Sequence, residues 1–109
     1  MENESFVIKT LTADKTQTQL LLEGLLVIRN AAIIKKEFLS ALSNSQNLKL
    51  IIKNVIKADT AFLQLLVALQ KSADDVEKKV SFDIESSAYV KSIIENSGFK
   101  NYLPIDFNA

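Results

Sequence analysis

The sequence predicts an α/β domain, a small mixed β-sheet covered by helices. Three observations carry that reading. Leu48–Val55 and Val80–Ile84 alternate apolar and polar residues, the period of a strand with one buried face. The segments after Asn30 and after Asp59 instead place apolar residues at helical spacing. Strands and helices then take turns along the chain, as they do when helices cross over a largely parallel or mixed sheet.

Taken in order, Phe6–Thr12 alternates loosely and reads as a first strand, followed by a turn over Thr12–Lys15. Gln17–Ile28 contains a second strand, with Gly24 expected at a bend or bulge. Asn30 is expected to cap a helix, since its short amide can accept from a first-turn N–H. That helix carries Ile34, Phe38, Ala41 and Leu42 on one face and Lys35, Lys36 and Glu37 largely on the other. Asn44–Asn47 is a polar turn, and Leu48–Val55 reads as a central strand. Ala61–Ala73 is too apolar for a narrow stripe. It reads as a helix sunk onto a sheet face, or as one that leaves some apolar residues to a partner.

Asp74–Lys79 is a charged turn and Val80–Ile84 the next strand. Ser86 or Ser87 is expected to cap a helix bearing Val90, Ile93 and Ile94, with Gly98 in the left-handed position past its end. The tail Phe99–Phe107, broken by Pro104, is expected as a short strand or loop. With 109 residues, 48% of them apolar, and only two Gly and one Pro, residues 1–109 are expected to form a single domain.

Composition excludes several chemistries. The chain has no Cys and no His, which removes disulfides, thiolate nucleophiles and metal sites, and the commonest general base. Its only glycines, Gly24 and Gly98, form no phosphate-cradling loop, so no nucleotide cofactor is expected. Thirteen basic residues balance thirteen acidic ones, against the cationic footprint of broad nucleic-acid binding. Met1-Glu2-Asn3-Glu4 does not resemble a signal peptide, and no apolar run approaches the roughly 20 residues of a membrane span. A cytoplasmic, non-enzymatic protein with no cofactor or metal is therefore expected.

The remaining polar clusters are few. Asp74-Asp75 reads as solvated surface beside Glu77, Lys78 and Lys79. Lys49, Lys53 and Lys57 at even spacing read as an exposed strand end or edge kept soluble by charge. Tyr89 and Tyr102 are expected to pack with their hydroxyls at the surface. What is left is Asp59-Thr60, between a strand and an apolar helix. Either side chain can cap that helix for about 1 kcal/mol. The hydroxyl can also take a phosphate, whose −1.5 to −2 charges the helix dipole tolerates and Asp59 repels. Such a change alters the surface without unfolding the domain.

At this junction the sequence resembles the STAS family of sulfate transporters and anti-sigma-factor antagonists. Leu22-Glu23-Gly24-Leu25-Leu26 is similar to the family's strand motif, and Leu48–Ile56 followed by Asp59-Thr60-Ala61 to its strand leading into Asp-Ser or Asp-Thr. Lys79–Ile84 fits the next strand, and Ile93-Ile94 through Ser97-Gly98-Phe99 the last helix and its ending. The resemblance spans roughly residues 6–103 and implies a STAS-like fold. It implies Thr60 as a phosphoacceptor, with Asp59, Thr60, Ala61 and Phe62 facing a protein partner. That partner would be an anti-sigma factor that is also a serine kinase, and the role partner switching in bacterial transcription control. Two positions depart from the family: Phe62 stands where Gly is usual, and Val27 where an acidic residue often follows the strand motif. The second reading the resemblance supports is an accessory STAS subunit of a bacterial ABC-type lipid transport complex. There Thr60 would contribute an unphosphorylated hydroxyl at the ATPase interface.

Overall fold

A computed structural model describes residues 6–85, 88–98 and 105–108. Its elements run β1 (Phe6–Ala13), β2 (Gln17–Leu26), α1 (Ile28–Asn44), β3 (Asn47–Ala58), α2 (Thr60–Asp75), β4 (Lys79–Glu85), α3 (Ala88–Ser97) and β5 (Ile105–Asn108). The strands form one sheet in the order β1-β2-β3-β4-β5. β1 is antiparallel to β2, and every later pair is parallel. The expected mixed sheet is therefore present.

Topology decides which face is covered. Each parallel connection moves one strand further in the same direction, and such crossovers are right-handed, so α1, α2 and α3 belong on one face. The burial pattern agrees. Leu20, Leu22 and Leu26 of β2, Leu48, Leu50 and Ile52 of β3, and Val80, Phe82 and Ile84 of β4 are buried. Alternate β2 residues from Gln17 to Leu25 are half-exposed. From α1 come Ile34, Phe38, Ala41 and Leu42, and from α2 come Phe62, Leu63, Leu66 and Leu69. The wide apolar surface of α2 is thus explained by its position, seated on the sheet and against α1.

Asn30 departs from the expected cap. Helix α1 begins at Ile28, with Val27 in the cap position and no side-chain bond from it. Asn30 lies inside the first turn, buried, and its Nδ2 donates to the Leu25 carbonyl at 2.8 Å. Gly24 does mark an irregularity: the β2–β3 register shifts on both sides of it, and its φ is +94°. Gly98, at φ +80°, follows the end of α3 as expected. Ser86, Ser87 and Tyr102 lie outside the described residues, as do positions 99–104 of the tail.

The lysine series on β3 has a plain cause. Pairing with β4 ends at Ile52–Ile84, so residues 53–58 of β3 extend past β4. Lys49 sits 3.9 Å from Asp83, while Lys53 and Lys57 are exposed on the overhang. Its Val55 N–H is not left bare, because Glu85 accepts from it at 2.9 Å.

Candidate functional site

The β3–α2 junction sits where the parallel strands end. Asp59 occupies the cap position in extended conformation, φ −128° and ψ 177°. Its Oδ1 accepts from the Phe62 N–H at 3.1 Å, a first-turn cap. Its Oδ2 reaches across to the start of α1 and accepts from the Ile28 N–H at 2.9 Å. One carboxylate therefore caps two helices whose N-termini lie side by side, where both dipoles favour its charge. A backbone bond from Asp59 N–H to the Leu26 carbonyl, 3.3 Å, fixes the two chain segments together.

This arrangement decides between the two candidate caps. Asp59 takes the role, and Thr60, exposed at the first position of α2, has a hydroxyl with no hydrogen bond among the described residues. A free hydroxyl at a helix N-terminus can donate to a partner or accept a phosphoryl group. The added charge would lie beside N–H groups still unpaired in the first turn.

The other two residues of the expected partner edge divide. Ala61 is half-buried. Phe62 is only 3% exposed and lines the apolar space between sheet and α2 with Leu26, Ile52, Leu66 and Ile84. Helix geometry turns the third residue of α2 towards the sheet, so this ring is a core residue and offers a partner no apolar anchor. In its place the surface carries Ile28, 71% exposed beside the Asp59 bond, and Ile56, 66% exposed on the β3 overhang. Neither was singled out by periodicity, because an isolated apolar residue has the same pattern buried or bare. Val27, the other departure, is half-buried in the connection to α1. Asp74 and Asp75 end α2 as exposed residues, away from this junction.

No family model matches the sequence, and no curated protein matches it. Solved structures do match in fold. The anti-sigma factor antagonist SpoIIAA in its unphosphorylated form aligns over 96% of this chain and 89% of its own, with TM-score 0.73 and 13% identity. The phosphorylated form of SpoIIAA, the Bacillus cell fate determinant, covers 96% and 92%, with TM-score 0.65 and 12% identity. An anti-sigma factor antagonist from Mycobacterium paratuberculosis covers 95% and 87%, with TM-score 0.81 and 13% identity. The chain has the STAS-like fold of the anti-sigma factor antagonists, along nearly its whole length.

Proposed function

We propose that this protein is a cytoplasmic, non-enzymatic partner-switching regulator that binds an anti-sigma factor or serine-kinase-like protein through the β3–α2 junction, with Thr60 as the phosphoacceptor. The observation that carries the reading is the division of labour at the junction. Asp59 is fully engaged in capping α1 and α2, and that leaves the exposed Thr60 hydroxyl free for chemistry. Phosphorylation then changes the charge of the surface around Ile28 without removing a bond the fold depends on. The fold shared with SpoIIAA, whose solved forms include an unphosphorylated and a phosphorylated one, supports the same reading.

The test is capture of the protein from its native cell, with intact-mass measurement before and after incubation with the captured kinase. One phosphate on the wild type, none on Thr60→Ala, and weaker partner binding by Thr60→Glu are expected. A wild-type mass that stays unchanged beside an active kinase overturns the phosphoacceptor role. Co-purification with an ATPase subunit that persists under phosphatase treatment would favour the transport-complex subunit instead.

A further inference from the structure

Gly24 creates a feature that the Thr60 reading does not use. The register of β2 against β3 shifts on both sides of Gly24, and Asn54, opposite the shift, holds a left-handed φ of 52°. Asn tolerates that conformation better than most residues. Beside this bulge a depression of about 410 Å³ lies at this end of the sheet. Phe6, Val7, Glu23, Gly24, Asn54 and Ile56 line it. Its volume lies in the range of small ligand sites, roughly 300–1,000 Å³.

The lining has a definite chemistry. Val7 and Ile56 are 45% and 66% exposed, so two branched apolar side chains stand bare at its wall. The only charged group is the Glu23 carboxylate. Asn54 Nδ2 donates to Glu23 Oε2 at 2.5 Å, and among the described residues Glu23 has no other hydrogen bond or ion pair. A carboxylate has about four acceptor positions, so most of its capacity is unused. Lys9 and Lys53 lie on neighbouring strands, but neither pairs with it. An anionic group between apolar walls complements a group that is cationic at its tip and aliphatic along its stem.

We propose that this depression is a docking site for an arginine side chain of a protein partner. The guanidinium meets Glu23, and the methylene stem lies against Val7 and Ile56. Arginine fits better than lysine because its planar fork can give two parallel bonds to one carboxylate and its weakly hydrated head tolerates apolar walls.

The probe is N-acetyl-arginine amide, titrated into the full-length unmodified chain while backbone amide shifts are followed by NMR. Saturable shifts at Glu23, Gly24, Asn54 and Ile56 are expected, with none from the uncharged, equally long citrulline amide. Glu23→Gln, which keeps an oxygen for Asn54 and so preserves the fold, should bind about tenfold more weakly. Ile56→Ser should weaken binding with Glu23 intact. Absence of saturable shifts, equal shifts from the citrulline amide, or wild-type affinity in either variant overturns the proposal. No kinase and no phosphate enter the measurement, so its failure and the failure of the Thr60 reading are separate results.

Discussion

The two ends of the sheet are built by opposite rules. Where the parallel strands begin, three loops are laced to one another. Asp14 Oδ1 accepts from the Thr16 and Gln17 N–H groups, both at 2.8 Å, and shapes the β1–β2 turn. Ser45 donates to the Asp14 carbonyl and receives the Thr18 hydroxyl at 2.5 Å, both side chains being 3% exposed. Gln46 Nε2 then reaches the Glu77 carbonyl at 3.1 Å, and Lys78 Nζ reaches the Leu42 carbonyl at the end of α1 at 2.6 Å. Polar side chains from three connections are spent on one another. Where the strands finish, one carboxylate joins two helices, and the neighbouring hydroxyl, Thr60, is left over. The first end is a structural joint, while the second keeps the exposed Thr60 hydroxyl and the bare Ile28 and Ile56 at its surface. Burial alone does not separate the ends. The commitment of the hydrogen bonds does.

Substitutions can break that contrast. The largest effect is expected from Phe62→Ala, which empties a core position under the finishing end. About 3–5 kcal/mol of stability should be lost, measured by urea unfolding. A loss below about 1 kcal/mol would mean that the ring is not seated in the core. Asp59→Ala removes two caps and should cost about 2 kcal/mol. Amide exchange should quicken at both Ile28 and Phe62. Exchange that quickens at Phe62 alone would sever the link between the helices.

Ser45→Ala at the beginning end leaves the Thr18 hydroxyl buried without its partner, for a loss of about 1–3 kcal/mol. Partner binding should be unchanged, as a pull-down would show. Thr60→Ala sharpens the comparison from the other side. It should leave stability within about 0.5 kcal/mol of wild type while altering the response to a partner kinase. If Thr60→Ala proved as destabilising as Ser45→Ala, the hydroxyl would be structural and the two ends alike.

Much of the fold was legible in the sequence because the sheet has one covered face. From Leu48 to Ile52 on β3 and from Val80 to Ile84 on β4 the even positions are apolar and buried and the odd ones exposed or half-exposed, so alternation reported the architecture directly. The breadth of apolar surface on α2 likewise announced a central helix. The start of α1 was not legible. Its cap is a residue 31 positions further on, whereas local capping patterns point to the nearest amide, Asn30. The resemblance sets Phe62 at the partner edge while its helix pattern allows burial, and the partners that bury it come from β2, β3 and β4, which no local spacing reveals. The depression at Gly24 depends on a register shift between strands, which is a property of the pair and not of either sequence alone.

The shared Asp59 carboxylate also has a consequence for the order in which the chain assembles. Helix α2 carries its cap within its own segment, so β3 and α2 can consolidate as a local unit. Helix α1 has no side-chain cap of its own and acquires one only when β3 has docked beside β2. Refolding followed by pulsed deuterium labelling should therefore protect the Phe62 amide before the Ile28 amide. Simultaneous protection would make the two helices one kinetic unit. In that sequence of events α1, although it precedes α2 in the chain, is the later arrival.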